Sequence, residues 1–155
     1  MNKITILGVG YVGTMCLAGY SSKLLHCKGV DLSKNKVEKI NNGISPIYEP
    51  GLSDLLKSKF DDGFVSATTD LNDGISNSKM AIICVGTPND SSGHLNVSAV
   101  LTLVESICIE IKKKPRDFII SIRSTISPGT CESCEQIIEN YELEKHIDLI
   151  ANPEF

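Results

Sequence analysis

The chain has 155 residues, of which 41% are hydrophobic and 22% are charged, and its formal net charge is −4. These values are typical of one globular domain with a substantial core, and the acidic balance disfavours a nucleic-acid or anionic-membrane partner. No apolar run approaches the roughly 20 residues that a membrane span needs. The first apolar run, residues 4–12, is interrupted by glycines and lacks a cleavage-like site, so we expect a cytoplasmic protein.

The first part of the chain alternates between short β-branched runs and helical patterns. Residues 43–52, GISPIYEPGL, contain two prolines and two glycines, which predicts an ordered loop and not a strand. Around this loop the predicted elements are, in chain order, a strand at 3–7, a helix at 11–24, a strand at 27–31, a helix at 34–41 and a short helix at 52–60.

The second part of the chain continues the same alternation. Residues 80–85, MAIICV, are uniformly apolar, as expected of a central parallel strand that is buried on both faces. The predicted elements are a strand at 64–68, a short helix capped by Asp70, a strand at 80–85, a helix at 97–113, a strand at 118–122, a helix from 128 or 130 to about 139, and a strand at 147–151.

Strands that alternate with helices form βαβ units, and therefore a parallel sheet with right-handed crossovers. Six strands in this rhythm predict an α/β fold of the Rossmann type, a doubly wound parallel sheet of order 3-2-1-4-5-6 with helices on both faces. No internal repeat, low-complexity tract or interdomain linker interrupts the pattern. We therefore expect residues 1–155 to form one domain.

A glycine-rich motif, Gly-x-Gly-x-x-Gly, follows the first predicted strand and opens the first predicted helix. Gly8 allows a tight turn, Gly10 lets the backbone approach a pyrophosphate, and Gly13 lets the helix lie close to the strand. The free N–H groups and the dipole at the helix start favour a diphosphate. The pattern is weak alone, but its position between a strand and a helix favours a dinucleotide site.

Asp31 ends the second predicted strand, 18 residues beyond Gly13 and near the usual interval of about 20. A carboxylate there can accept hydrogen bonds from the adenine ribose hydroxyls and would repel a 2′-phosphate. The alternative interpretation is that residues 8–13 form only a turn and that Asp31 is only a cap at the end of the strand. Because strand, loop, helix, strand and acid occur in order, we expect NAD and not NADP as the cofactor.

The cysteine pattern does not favour a metal site. Four of the six cysteines lie inside apolar segments, where a free thiol behaves as a small hydrophobe. Cys131 and Cys134 form a lone Cys-x-x-Cys, whereas zinc would need two further ligands and His146 is a weak candidate. A redox pair is possible chemistry for this spacing, but on a helix the spacing merely places two small residues on one face.

Three unusual loops follow the later strands: CVGTP at 84–88, RSTISPGT at 123–130 and NPEF at 152–155. All three should lie at the carboxyl edge of the sheet, near the nicotinamide half of a dinucleotide. Thr87 and Thr125 offer hydroxyls there, and Glu154 offers a carboxylate. Each loop taken singly could equally be ordinary turn and cap chemistry.

Together these segments resemble the N-terminal NAD-binding domain of the UDP-glucose/GDP-mannose dehydrogenase family. The matching stretches are GVGYVG, GVDLSKNKVEKINNGISPIYEPGL, TTD, ICVGTP, RSTISPGT and NPEF, which together cover almost the whole chain. YEPGL, VGTP and NPEF are far more specific than the glycine motif. The RST…PGT form resembles the GDP-mannose branch somewhat more than the UDP-glucose branch.

The resemblance implies an oxidation of C6 of a nucleotide-sugar from alcohol to carboxylate, with reduction of two NAD⁺, as in polysaccharide biosynthesis. It places six residues at family NAD-contact positions: Tyr11, Val12, Asp31, Lys36, Thr87 and Thr125. Neighbouring loop residues complete the expected cofactor site: Gly8, Gly10, Gly13, Val85, Gly86 and Pro88. Glu154 matches an active-site glutamate with an acid/base role, and Thr125 is its expected catalytic neighbour.

The sequence also departs from the family pattern. The family's nucleophilic cysteine lies in a second domain, with a lysine and an asparagine, in a region that follows NPEF. Cys84, in the fourth predicted strand, is the cysteine nearest to the cofactor edge, and we interpret it as a core residue. We therefore expect an N-terminal fragment of a longer, homo-oligomeric enzyme, able to bind NAD but inactive alone on a nucleotide-sugar.

Two other functions share parts of this pattern. A non-catalytic dinucleotide sensor would have the glycine loop and the acidic residue, but not YEPGL, VGTP and NPEF together. A hydroxyacid or hydroxyacyl dehydrogenase is the nearest alternative among enzymes, although fold analogy is weak support for a function.

Overall fold

The computed structural model describes residues 2–154. Met1 and Phe155, the last residue of the NPEF motif, lie outside the described residues. The strands are β1 (Asn2–Leu7), β2 (Leu25–Val30), β3 (Val65–Thr68), β4 (Met80–Ile83), β5 (Phe118–Ile122) and β6 (Ile147–Ala151). They form one parallel sheet in the order β3-β2-β1-β4-β5-β6, so the predicted fold class and strand order are confirmed.

The helices lie on both faces of this sheet, three on each. They are α1 (Tyr11–Tyr20), α2 (Lys34–Ile40), α3 (Leu52–Asp61), α4 (Leu71–Ile75), α5 (Ser98–Lys113) and α6 (Thr130–Asn140). The first three pack on one face through a buried cluster that includes Leu17, Ile40 and Leu56. The last three pack on the other face, where Ile75, Ile107 and Ile138 are buried. The change of face falls between β3 and β4.

Neighbouring residues of β1 show why both faces are covered. Ile6 joins the core beneath α1 to α3, whereas Leu7 joins the core beneath α4 to α6. Thr5 is fully buried, and its hydroxyl lies 2.8 Å from both the Gly74 carbonyl and the Ser78 hydroxyl, which satisfies this polar group. Because β1 and β4 are adjacent and the crossovers diverge there, the carboxyl ends of these strands flank a crevice.

Helix α1 ends at Tyr20, whereas we predicted a helix over 11–24. The backbone of Ser21 is extended, and its hydroxyl donates to the Ala18 carbonyl at 3.0 Å. Ser22 and Leu25 then exchange two backbone hydrogen bonds, and β2 begins at Leu25 and not at residue 27. The tight return to the sheet therefore ends the helix one turn early.

Strand β4 ends at Ile83, two residues before the predicted end at residue 85. The Ile83 carbonyl accepts the N–H groups of Arg123 and Ser124, and the Ser124 hydroxyl donates to the Val85 carbonyl at 2.7 Å. The Cys84 N–H still donates to the Leu7 carbonyl of β1 at 2.7 Å, and side-chain bonding replaces the strand ladder from Val85 onward. Cys84 is a loop residue, partly exposed and packed against the core under α1 to α3, and not the strand residue that we expected.

Candidate functional site

Gly8 and Gly13 fix the turn between β1 and α1. Gly8 has a φ of +88°, a conformation that favours glycine, and a Cβ on it would lie 3.0 Å from the Cys84 carbonyl oxygen. A Cβ on Gly13 would lie 1.8 Å from the Gly8 carbonyl oxygen, which no side chain can tolerate. These two glycines therefore let α1 start directly beside the carboxyl ends of β1 and β4.

The start of α1 is open for a ligand. Gly10 is its N-cap residue and, within residues 2–154, no side chain caps the helix. Apart from the two chain neighbours of Gly10, a Cβ built on it would meet no described atom within 4 Å. The first N–H groups of a helix have no partner inside it, and they carry the positive end of the dipole. This geometry offers an uncapped backbone cradle to an anion.

Asp31 joins the glycine turn to the start of α2. Its Oδ2 atom accepts the Val9 N–H at 2.9 Å and the Lys36 ammonium at 3.1 Å, and its Oδ1 atom accepts the Ser33 N–H at 2.9 Å. The side chain is only 12% exposed. A carboxylate has about four acceptor sites, so three internal bonds leave about one for a ligand hydroxyl. Asp31 is thus both a structural cap and a residue with spare acceptor capacity.

Six of the predicted cofactor residues line one cavity of about 640 Å³, which we call the main cleft. It lies outside the carboxyl ends of β1, β2 and β4, and its predicted residues are Gly8, Gly10, Asp31, Lys36, Val85 and Gly86. The opposite wall comes from α5, through Ser98, Thr102 and Ser106. This volume lies within the usual range for small-molecule sites, roughly 300–1,000 Å³.

The loops after β4, β5 and β6 are tied together by hydroxyl groups. Thr87 donates its hydroxyl to the Thr125 carbonyl at 2.7 Å, and Thr125 donates its hydroxyl to the Glu154 carbonyl at 3.0 Å. The Glu154 carboxylate forms an ion pair with Arg123 at 2.7 Å. Arg123 also lies 3.3 Å from the Asn152 side-chain oxygen. The structure therefore brings the three predicted loops into one contiguous edge.

A second cavity of about 240 Å³, which we call the side cleft, lies between α1 and this edge. Tyr11, Val12 and Glu154 line it together with Met15, Cys16, Tyr20 and Arg123. Thr87, Thr125, Pro88 and Gly13 line neither cleft: the threonines hold the loops together, Pro88 is exposed, and Gly13 is buried in the turn. The predicted site residues thus divide between two cavities and the framework around them.

The geometry adds two residues that the sequence interpretation did not select. Arg123 holds the Glu154 carboxylate, and a lone arginine at the carboxyl end of a buried strand could have indicated it. Glu49, in the YEPGL stretch, accepts a hydrogen bond from the Tyr11 hydroxyl. This bond, together with slight desolvation and the Glu49 charge, raises the pKa of Tyr11 above its ordinary value. No local pattern could have paired two residues 38 positions apart.

The two cysteines near the clefts affect each other's ionisation. Hydrogen bonding to Cys84 lowers the pKa of Cys16, which lines the side cleft, to about 6. Hydrogen bonding to Cys16, together with burial, raises the pKa of Cys84, so its thiol stays protonated near neutral pH. Burial also raises the pKa of Cys131, on α6. Across residues 2–154, no group of three or more His, Cys, Asp or Glu side chains could hold a metal ion.

A sequence model of the UDP-glucose/GDP-mannose dehydrogenase family, NAD binding domain, matches residues 2–155. The chain belongs to this family. The GDP-mannose 6-dehydrogenase of Pseudomonas syringae pv. syringae is 38% identical over 161 aligned residues, which cover 99% of the chain. A UDP-glucose 6-dehydrogenase of Bacillus subtilis is 32% identical, again over 99% of the chain.

Solved structures agree with this membership of the UDP-glucose/GDP-mannose dehydrogenase family. The chain is similar to the GDP-mannose dehydrogenase of Pseudomonas aeruginosa, solved as a ternary complex, with a TM-score of 0.92 and 36% identity over 98% of the chain. A lactate dehydrogenase of Cryptosporidium parvum matches with a TM-score of 0.58 and 18% identity, which shows the shared fold alone. The chain spans about a third of the length of its family relatives, 36% for both the P. syringae enzyme and the P. aeruginosa structure.

The cofactor of this family domain is NAD, and the residues of the main cleft fit it. The uncapped start of α1 suits a diphosphate, the space beside Gly10 admits close backbone approach, and the carboxylate of Asp31 suits a ribose hydroxyl. Among residues 2–154, no helix is both long enough and apolar enough to cross a membrane.

Proposed function

We propose that this chain is the N-terminal cofactor domain of a longer nucleotide-sugar 6-dehydrogenase. That enzyme would oxidise the C6 alcohol of the sugar to a carboxylate with two NAD⁺. The observation that carries the proposal is the contiguous edge formed by Thr87, Thr125 and Glu154 beside the side cleft. The coverage of the relatives supports the domain assignment, because each is about three times as long as the chain.

In this proposal the main cleft holds the adenosine half of NAD. Asp31 accepts a ribose hydroxyl, Lys36 lies beside it as a counter-charge, and the N–H groups next to Gly10 meet the diphosphate. Val85, Gly86 and Pro88 form the loop over which the cofactor continues toward Thr87 and Thr125. The cation of Lys36 offsets the charge of Asp31, so the cleft remains receptive to an anionic ligand.

In this proposal the reaction takes place at the side cleft. Bound NAD⁺ would supply the hydride acceptor there. Glu154 would hold or release a proton at its carboxylate, while Thr125 anchors its backbone and Arg123 its side chain. The nucleophile and most sugar contacts belong, in this proposal, to the remainder of the enzyme.

The relatives' names include GDP-mannose and UDP-glucose, so a nucleoside diphosphate sugar is the proposed substrate class. A panel of such sugars on the full-length enzyme, with NADH measured per sugar consumed, would identify the substrate. Two NADH per sugar support the proposed oxidation. One NADH per sugar, with an aldehyde as the final product, would contradict it.

Cofactor binding can be tested on the chain itself by calorimetry with NAD⁺ and NADP⁺. We expect measurable NAD⁺ binding and much weaker NADP⁺ binding, because the Asp31 carboxylate repels a 2′-phosphate. We also expect no NADH production by the chain alone with either sugar nucleotide. Absence of NAD⁺ binding would overturn the proposed cofactor site, and NADH production would overturn the proposed division of the active site.

We further propose a cytoplasmic homo-oligomer that supplies nucleotide-sugar acids for polysaccharide synthesis. All six cysteines lie within residues 2–154 and are free thiols, as is usual in a reducing compartment. Size-exclusion chromatography with light scattering on the full-length enzyme would test the oligomeric state, and a monomeric mass would contradict it.

A further inference from the structure

The YEPGL stretch (residues 48–52) is the most specific part of the sequence to which the proposed function gives no role. Its end is structural: Gly51 has a φ of +78° as N-cap of α3, and Leu52 is buried in the core. The preceding Ile47 packs against the same core. Two residues between Ile47 and Gly51 point away from this core. They are Tyr48, which is 88% exposed, and Glu49.

Glu49 reaches the start of α1, where it accepts the hydrogen bond of the Tyr11 hydroxyl. Tyr11 is the first residue of that helix and follows Gly10, so its own N–H belongs to the uncapped first turn. A hydrogen bond to a carboxylate is stronger and more directional than one between neutral groups. The bond therefore fixes the direction of a phenol ring that is otherwise 56% exposed and free to rotate.

We propose that Glu49 is a positioning residue for the dinucleotide, which acts by holding the Tyr11 side chain at the edge of the anion-binding turn. The inference rests on the proposed NAD binding. Held by Glu49, the phenol stays directed toward the segment that leads into α3. Released, the ring would sample rotamers over the first turn, and ligand binding would have to exclude them.

A role in folding alone does not account for this contact. The bond is solvent-exposed, and such bonds contribute little to stability. Helix α1 is already anchored by the buried Leu17 and by the Thr14 hydroxyl, which donates to the Gly10 carbonyl at 2.7 Å. A carboxylate near a diphosphate site is also electrostatically unfavourable, so its presence needs a compensating benefit. Orientation of Tyr11 is that benefit.

Calorimetry with NAD⁺ tests the proposal on five proteins: the natural chain, Tyr11→Phe, Glu49→Ala, Glu49→Gln and the double variant Tyr11→Phe/Glu49→Ala. Tyr11→Phe and Glu49→Ala each remove the hydrogen bond, so each should weaken NAD⁺ binding about 3- to 10-fold, the usual range for one hydrogen bond. The double variant should be no weaker than either single variant, since both remove the same contact. Glu49→Gln keeps an acceptor oxygen and removes the charge, so it should bind at least as tightly as the natural chain.

Two substitutions serve as matched controls, Tyr48→Phe in the same loop and Glu38→Ala on the exposed side of α2. Neither should change NAD⁺ affinity. Thermal unfolding of all variants should remain close to that of the natural chain, which separates a binding effect from a folding effect. Tyr11, Tyr20 and Tyr141 all have a raised pKa, so a spectroscopic titration should lose one of three raised values in Tyr11→Phe. In Glu49→Ala the pKa of Tyr11 alone should fall toward the ordinary range.

Unchanged or tighter binding by Tyr11→Phe and Glu49→Ala would overturn the positioning role, as would losses that add in the double variant. A lack of rescue by Glu49→Gln would also overturn it. These results differ from failure of the proposed function, because the natural chain would still bind NAD⁺. A natural chain without NAD⁺ binding would overturn both.

Discussion

The Glu154 carboxylate lies 2.7 Å from Nη2 of Arg123, and both residues line the side cleft. The ion pair crosses from the end of β5 to the segment after β6, two loops that the sequence places far apart. Arg123 therefore sets the direction of the carboxylate that the proposed chemistry uses. At the same time the Thr125 hydroxyl fixes the backbone of Glu154.

In the full-length enzyme, Arg123→Gln should lower turnover without a comparable loss of NAD⁺ affinity. We expect NAD⁺ affinity within about 2-fold of the natural value, because Arg123 lies outside the main cleft. Turnover should fall by about 10-fold or more, since a displaced catalytic group is costly. Steady-state NADH production and calorimetry measure the two quantities, and Arg116→Gln, away from both clefts, is the control. Unchanged turnover would show that Arg123 does not position the Glu154 carboxylate for the reaction.

Two glycines of the same helix should respond oppositely to alanine. Gly13→Ala places a Cβ 1.8 Å from the Gly8 carbonyl oxygen, so we expect a loss of about 3 kcal/mol or more in unfolding free energy. Gly19→Ala meets no described atom within 4 Å and should stabilise the helix by up to about 1 kcal/mol. Urea unfolding measures both. Equal effects would contradict the close approach of α1 to the turn.

Gly10→Ala should affect ligand binding and not folding. A Cβ there meets open space in the described residues, and the φ of −77° suits alanine. It would, however, occupy the space through which a diphosphate approaches the helix start. We expect unfolding within about 0.5 kcal/mol of the natural value and at least about 10-fold weaker NAD⁺ binding. If Gly10→Ala retains full NAD⁺ affinity, the diphosphate does not bind at this turn.

Asp31→Asn should change cofactor preference. The amide removes the negative charge that excludes a 2′-phosphate and weakens the bonds to the ribose and to Lys36. NAD⁺ affinity should fall about 10-fold or more, whereas NADP⁺ affinity should fall less or rise. Asp62→Asn, at the exposed end of α3, is the control. If the ratio of the two affinities does not change, Asp31 is not the discriminating residue.

Alkylation of Cys131 should show its raised pKa. Burial, Glu132 and Glu135 disfavour the thiolate, so at neutral pH the thiol is protonated and slow to react. The rate with iodoacetamide should rise with pH and reach its plateau only above the ordinary thiol pKa. Mass spectrometry of the labelled peptide in Cys134→Ser identifies the site. A plateau at or below neutral pH would contradict the environment of Cys131 and reopen a redox role for this pair.

The fold followed from the sequence because alternation, glycines and polar caps are local signals. β5 and β6 have the predicted bounds, and the strand order follows from general crossover rules. The errors at the ends of α1 and β4 have different causes: a local bridge between Ser22 and Leu25, and a long-range bond from the Ser124 hydroxyl to the Val85 carbonyl. Both kinds of contact override helix or strand propensity at the ends of elements.

The site was partly accessible from the sequence for the same reason. Gly8, Gly13 and Asp31 carry local steric or charge signals, so their positions were predictable. Glu49 and Arg123 act through partners 38 and 31 positions away, and no periodicity reports such pairs. The motifs that contain them are visible in the sequence, but only the folded structure assigns their partners.

The internal bonds of Asp31 have a kinetic and entropic consequence. Its carboxylate is already held by Val9, Ser33 and Lys36, so the rotamer freedom of this side chain is lost during folding. Ligand binding need not order it again. The adenosine end of the cleft is thus preorganised, and association there should resemble docking to a rigid surface, with little slow rearrangement after encounter.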